Sequence, residues 1–481
     1  MSTEFETIIG LEVHAQVSSK TKMFCSCDND AWAKEPNTTV CPVCMGFPGT
    51  LPVANKAVVE KAVQASTALK CTVNERSHFD RKNYFYPDLP SGFQISQYQH
   101  PLASHGSVQF TITDPATNTT EPAECRILRL HLENDAGKLT HISRNTLVDY
   151  NRAGTPLMEI VTEPDLRSPR AAAAFAEELR RILVASGASE ADMFKGMMRF
   201  DASISLRPKG DKKLYPRVEI KNLNSFKMLE RALSYQEQEL KKLWEEGKQP
   251  TGETTVGWLD DEGETKLLRD KESAADYRYF PEPDIPPIVL TREMIENVSK
   301  DFAALPSEKR AEYEAMGLSP AEAVILTDAA ELRERFDAVQ AVTGDAKRAS
   351  SIVLTQMTGL LSKHEKSLID APSKEALVEL AKAMKSGKIN SNAGKDVLEK
   401  MITTGKSATE IIKAEGMGQI SDTGALEKLL DEAINANPKA IESYKAGKTQ
   451  ALGAIVGAVM KESKGQANPE KVQQLLQAKI S

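Results

Sequence analysis

The chain has 481 residues, with 61 Lys and Arg against 68 Asp and Glu and a formal net charge of −7. That length exceeds one compact core and predicts about three domains. A hydrophobic share of 41% with 27% charged residues excludes collagen-like, mucin-like and wholly disordered chains. The acidic balance argues against a general nucleic-acid coat, although a local basic patch is compatible with it. No apolar run reaches the roughly 18–20 residues that cross a bilayer. The run Ala451–Met460 is too short, and its Gly453 and Gly457 read as sites of close helix packing. The acidic start Met1–Thr7 lacks a basic region followed by an apolar core, so no secretory signal and no membrane association are expected. The expected location is cytoplasmic.

The first strand is Ile8–Val17, where alternation sets Glu12, His14 and Gln16 on one face and Leu11, Val13, Ala15 and Val17 on the other. Helices are predicted over Asn55–Lys70, Ser168–Gly187 and Phe226–Gly247. Ser168 followed by Pro169 is an N-cap with proline in the first turn, and Gly187 is a stop. Between helices lie further alternating strands. Arg129–Asp135 puts Arg129, His131, Glu133 and Asp135 on one face. Pro156–Val161 projects Glu159 from a more apolar strand. Arg199–Ser205 aligns Arg199, Asp201, Ser203 and Ser205, and Arg217–Lys221 aligns Arg217, Glu219 and Lys221. The segment Asp80–Pro90 mixes Arg81, Lys82, Tyr84 and Tyr86 with prolines, as a rigid loop or a binding loop. Asp276–Asp284 reads as an interdomain clamp or a substrate-positioning strand. Beyond the proline-rich stretch ending at Pro287 the texture is helical. The fold class is therefore α+β. An antiparallel-sheet domain over 1–290 precedes two all-α domains, 291–405 and 406–481.

For any single strand, a polar face is most often a solvated face. Here the faces repeatedly offer Glu, Asp and His with Arg interleaved, and carboxylates gathered on one sheet repel unless cations join them. Carboxylate oxygens with one imidazole suit Mg²⁺ or Mn²⁺, which in turn hold nucleotide phosphates. Nearby Arg and Lys would bind phosphate oxygens or stabilise charge in transfer. A P-loop is absent: Glu442 stands where Gly447-Lys448-Thr449 requires glycine, and Lys400 does so for Gly405-Lys406-Ser407. ATP would need a sheet-based, metal-bridged cradle.

Four of the six cysteines fall in Cys25-Ser-Cys27 and Cys41-Pro-Val-Cys44. Two close pairs across a loop in a reducing compartment suit a structural, tetrahedral Zn²⁺ site rather than disulfides. The alternative is four small, partly buried thiols, and the single residue between Cys25 and Cys27 is less usual for a zinc knuckle.

Several runs, in order, resemble the B-subunit family of the bacterial tRNA-dependent amidotransferases. They are Ile9–His14, Asp80–Pro87, Glu133–Lys138, Asn151–Pro156, Val218–Ser225, Asp276–Asp284 and the terminal Lys464–Pro469. The likeness spans essentially the whole chain. It implies a cradle related to glutamine synthetase and guanido kinases, then a helical domain and a YqeY-like tail, both grasping tRNA. It implies ATP-dependent phosphorylation of the side-chain carboxylate of misacylated Glu-tRNA(Gln), Asp-tRNA(Asn) or both. Ammonia then displaces the phosphate. The enzyme class is a carbon–nitrogen ligase with glutamine as amido donor. A separate A subunit would release the ammonia from glutamine and pass it through a tunnel, and a small C subunit would tie the other two together in a heterotrimer. By the same resemblance Glu12, His14, Glu133 and Glu159 would hold Mg²⁺. Asp201 would be a further carboxylate for metal or ammonia handling, and Lys82 and Arg217 would contact phosphate or substrate. The cysteine quartet matches those family members that carry zinc. Two other readings of the same residues remain: a non-catalytic tRNA-binding scaffold, and a free-standing ligase amidating a small metabolite.

Overall fold

The computed structural model describes residues 4–117, 119–270, 276–300, 304–416, 423–438, 440–441, 452–463, 467 and 469–480. Gly447-Lys448-Thr449, and most of the terminal run Lys464–Pro469, lie outside the described residues. The chain divides into two compact units, 1–308 and 309–481.

The first unit is built on one nine-stranded sheet. Its elements begin with β1 (Phe5–Gln16), α1 (Lys56–Ala68), β2 (Thr72–Val73), β3 (Arg76–Ser77), β4 (Asp80–Asn83), β5 (Phe93–Ser96), β6 (Ala103–Thr113) and β7 (Thr120–Asn134). They continue with β8 (Lys138–Ile142), β9 (Asn145–Asp149), β10 (Pro156–Thr162), α2 (Pro169–Ala185), β11 (Met198–Pro208), β12 (Val218–Leu223) and α3 (Phe226–Glu245). The unit closes with β13 (Thr254–Leu259), β14 (Glu264–Asp270), β15 (Phe280–Pro281), β16 (Ile288–Val289) and α4 (Arg292–Ser299). The sheet order is β14-β13-β12-β11-β1-β10-β7-β6-β2, with β1 near the centre. A small sheet, β15-β4-β5, packs beside it through β5 and β7.

One pairing departs from the antiparallel expectation: β12 and β13 run parallel, Val218 opposite Thr254. The cause is α3, which carries the chain back to the starting end of β12. A helical crossover yields parallel neighbours, whereas the hairpins elsewhere yield antiparallel ones.

The three expected helices form where the sequence caps them. Asn55, Ser168 and Ser225 each accept a hydrogen bond from the first helical turn, and Pro169 opens α2. Leu11, Val13 and Ala15 of β1 bury in the same core as Val58 and Ala62 of α1, Phe175 of α2 and Leu229 of α3. That core consumes one face of the sheet. The pleat therefore turns Glu12 and His14 to the opposite face.

In the second unit, one hydrophobic cluster joins helices such as Ala330–Thr343, Lys374–Lys385 and Ser391–Thr404 through Phe336, Leu377, Leu380 and Leu398. A separate cluster joins Leu426, Leu430, Ile455, Val459 and Leu476. Gly405 ends one helix in a left-handed turn, and Ser407 caps the next. That Gly-Lys-Ser run is a helix junction. Gly453 and Gly457 are not buried, and among the described residues a Cβ at either would meet nothing within 4 Å. The expected close packing there is corrected: Leu452, Ile455 and Val459, on another face of that helix, carry its contacts. No helix among the described residues is long and apolar enough to cross a membrane.

Candidate functional site

Strand register builds the site. His14 lies directly opposite Glu159 of β10 on one side and Arg199 of β11 on the other. Glu159 in turn lies opposite His131 of β7. One rung of the sheet therefore reads Arg199, His14, Glu159, His131, and the neighbouring rung pairs Glu12 with Asp201. Directly opposed residues hold their Cβ atoms roughly 5 Å apart. Four strands thus deliver carboxylates and imidazoles to one patch.

The side chains converge. His14 Nε2 is 3.4 Å from Glu159, 3.6 Å from Glu133 and 3.8 Å from Glu12. His131 Nε2 is 3.3 Å from Glu159 and 3.8 Å from Glu133. Two overlapping sets have ligand atoms within 4.8 Å of one another: Glu12, His14 and Glu159, and His131, Glu133 and Glu159. Glu159 belongs to both. The Glu133 side chain is 2% exposed and that of Glu12 41%, so the site has a buried floor and an open rim.

Charge is concentrated. Burial disfavours the imidazolium of His14, but Glu159, Glu133 and Glu12 outweigh it and push its pKa up to about 9. His131 is likewise raised against its burial by Glu159 and Glu133. Burial alone would raise Glu133 and Glu159; the imidazoles reverse this and hold both below the usual carboxylate range. Glu12 is pushed up to about 7, first by the negative charge of Glu159 and then by burial. Protons on His14 and His131 offset the carboxylates. A divalent cation would replace those protons and take the same oxygens and ring nitrogens as ligands.

The walls come from β4, β5 and β15. Ser96 donates to Glu133 at 3.1 Å. The Lys82 ammonium sits 4.9 Å from the Tyr277 ring centroid. Burial opposes its charge, but Glu133, Tyr279 and Glu159 raise its pKa. Tyr98 and Tyr279 stack at 4.4 Å. Arg81 fixes this wall through Glu282 at 2.7 and 3.0 Å and Asp284 at 3.0 Å. The Asp276–Asp284 segment therefore sits in the first unit, pairing with β4 at Arg81 and Asp80.

Lys82 thus faces the cluster. Asp201 flanks it, held by Lys221 at 2.7 Å, with Glu219 also 2.7 Å from Lys221. Arg217 stands apart: it pairs with Glu253 at 3.2 Å and is about half exposed. Residues outside the expected ligand set also line the patch. His131 shares strand and face with Glu133, and that alternation could have selected it as a ligand. Asp135 holds Arg199 at 3.0 Å and lies 3.5 Å from Arg152, a pairing across strands that no local pattern encodes.

The second site is the cysteine quartet. The Sγ atoms of Cys25, Cys27, Cys41 and Cys44 lie within 4.8 Å of one another. The Thr21–Asp28 bridge and the Lys22 N–H donating to Cys27 O close the first knuckle. Met45 N–H donates to Cys41 O and Cys41 N–H to Cys44 Sγ in the second. A hydrogen bond from Cys25 pulls the Cys44 thiol down to about 5 and in return raises Cys25, while burial pushes Cys27 up to about 11. Four sulfurs at this spacing compete for protons and can hold a metal ion.

Known proteins resemble the chain over nearly its whole length. The GatB/GatE catalytic domain family matches residues 7–296, and a second family, the GatB domain, matches residues 334–480. A protein of Carboxydothermus hydrogenoformans is 42% identical over 99% of this chain and 99% of its own length. One from Persephonella marina is 43% identical over 98% of this chain and 99% of its own length. Both are named as the B subunit of an aspartyl/glutamyl-tRNA(Asn/Gln) amidotransferase. A Clostridium acetobutylicum protein, named as the second B subunit of that kind, is 44% identical over 99% of each chain. The chain belongs to the GatB/GatE family.

Proposed function

We propose that the chain is the component of a tRNA-dependent amidotransferase that activates the side-chain carboxylate of Glu-tRNA(Gln), Asp-tRNA(Asn) or both at the expense of ATP. The observation that carries this reading is Glu159, a buried carboxylate shared by two groups on one sheet face that could each hold a metal ion. In this reading the first unit is the cradle related to glutamine synthetase. The helical remainder of the chain holds the tRNA, a glutaminase A subunit supplies ammonia, and a small C subunit joins the two, in the cytoplasm.

A carboxylate resists attack by ammonia because the leaving group would be an oxide. Transfer of the ATP γ-phosphoryl group to the carboxylate oxygen gives an acyl phosphate and ADP; ammonia then forms the amide and releases phosphate. Bound Mg²⁺ supplies neutralisation of the phosphate charge. Glu12, His14 and Glu159 would hold one ion, and His131 and Glu133 would complete a second set with Glu159. Lys82 and Lys221 place fixed positive charge where phosphate oxygens would gather. Tyr277 and the stacked pair Tyr98 and Tyr279 would form an aromatic wall beside that phosphate. A scaffold with solvated carboxylates accounts for none of this burial. Zn²⁺ suits the cysteine quartet as a structural ion bracing the loop, with no open ligand position for catalysis.

The test is ATP- and tRNA-dependent amide formation with the chain reconstituted with its A and C partners. Glu12→Ala combined with His14→Ala abolishes turnover on this reading. Normal turnover in that variant refutes the site.

A further inference from the structure

A lysine is buried beside the cysteine quartet. Lys22 is fully buried. Its ammonium donates to the Thr39 carbonyl at 2.7 Å and lies 3.8 Å from Cys44 Sγ. Among the described residues, no Asp or Glu pairs with it. Its backbone is pinned, N–H to Cys27 O and carbonyl to the Asn55 side chain at 3.2 Å. Its stem runs past Gly154, where a Cβ would come within 3.2 Å of Cys44 Cβ and 3.4 Å of Lys22 Cδ. The backbone leaves just the room the stem needs.

Burying an unbalanced ammonium is costly. Four thiolates around a divalent metal ion leave the complex with two surplus negative charges, and these too need compensation away from water. Each buried charge answers the other. We propose that Lys22 is the built-in counter-cation of the metal–thiolate centre, donating to Cys44 and lowering the nucleophilicity of its sulfur. Lys22 is a positioning residue: it touches a metal ligand and takes no part in amidation. The inference rests on the zinc reading of the quartet.

The experiment uses the full chain loaded with zinc. Metal content is measured first, then the rate of zinc release as N-ethylmaleimide alkylates the thiolates, with peptide mass spectrometry reporting which cysteine reacts first. Lys22→Met keeps the stem and removes only the donor. Losing one charge-assisted hydrogen bond is expected to speed release by about tenfold or more, with Cys44 becoming the first site modified. Release at the wild-type rate with an unchanged order of modification overturns the role of Lys22 and leaves the zinc reading standing. Wild-type protein that takes up no zinc overturns both. Should Lys22→Met fail to fold, amine labelling of the wild-type chain decides the matter. Lys22 is expected to resist acetylation when loaded and to react once the metal is stripped. Equal labelling in both states counts against the proposal.

Discussion

Glu159 stands between two imidazoles, His14 at 3.4 Å and His131 at 3.3 Å, and no other described residue belongs to both candidate ligand sets. Glu159→Gln keeps the shape and removes the charge. Losing one partner from a buried charged network costs roughly 3–5 kcal/mol, and an equal loss of transition-state stabilisation is a factor of about 10² to 10⁴ in rate. Amidation by the reconstituted complex is expected to fall by about that much, measured as amide formed on the tRNA. A loss under tenfold would show that the two sets do not share this carboxylate. The same cluster sets a pH dependence. A metal ion binding there would have to displace a proton from His14, whose pKa is raised to about 9, and from Glu12, raised to about 7. Both groups ligate only when deprotonated, so binding releases protons and affinity rises with pH. Mn²⁺ affinity from calorimetry is expected to be at least about tenfold higher at pH near 8.5 than near 6.5. Affinity falling over that interval would contradict the assignment.

Elements decide how much of this the sequence could reveal. Period-two alternation disclosed which residues of β1, β7, β10 and β11 share a face, because one face of each is consumed by the core. It could not disclose that His14, Glu159 and His131 lie on one rung, since β1 and β10 are separated by almost the whole first half of the unit. The resemblance selected the metal candidates; alternation already put His131 beside Glu133, but the pairing of Asp135 with Arg199 emerges only from register. Arg217 shares a face with Lys221 in sequence, yet lies just outside β12 and pairs with Glu253. The parallel β12–β13 pair was hidden for the same reason: alternation carries no strand direction. Capping was the most legible feature, and it carries its own prediction. Glu322 closes a capping box with Ser319 at the helix Pro320–Asp328 and also meets Ser350 and, at 3.1 Å, Lys347. Burial opposes ionisation there, but the hydrogen bonds from Ser350 and Ser319 win, and the carboxyl is held down to about 2 from 4.5. A depressed carboxyl stabilises the fold above its unfolded pKa and loses that contribution as pH falls through 4.5 towards 2. Discounted for partial exposure, Glu322→Gln is expected to cost on the order of 1–2 kcal/mol at neutral pH and almost nothing near pH 2. Denaturant unfolding of the helical unit, followed at both pH values, measures this. A deficit that persisted unchanged in acid would assign it to packing.

At the scale of the whole molecule, the carboxylate–imidazole cluster lies in the first unit, and the second has its own hydrophobic clusters. The oxygens and ring nitrogens of the two candidate ligand sets come from β1, β7 and β10, strands drawn from opposite ends of a span of roughly 150 residues. A cation bound there would take the place of the imidazole protons and act on the first unit alone. A ligand that binds only the folded state stabilises it by RT ln(1 + [L]/Kd), about 2.7 kcal/mol at a hundredfold excess over Kd. Spread over a unit of about 300 residues, that is a rise of a few degrees in its melting temperature. Calorimetry of the full chain is expected to resolve a transition of the sheet unit that moves upward with added Mn²⁺ and a helical transition that does not. His14→Ala with Glu159→Gln is expected to abolish the shift while leaving the helical transition in place. An equal shift of both transitions in the double variant would place the stabilising ion somewhere other than the sheet face, and the phosphate chemistry built on that face would lose its support.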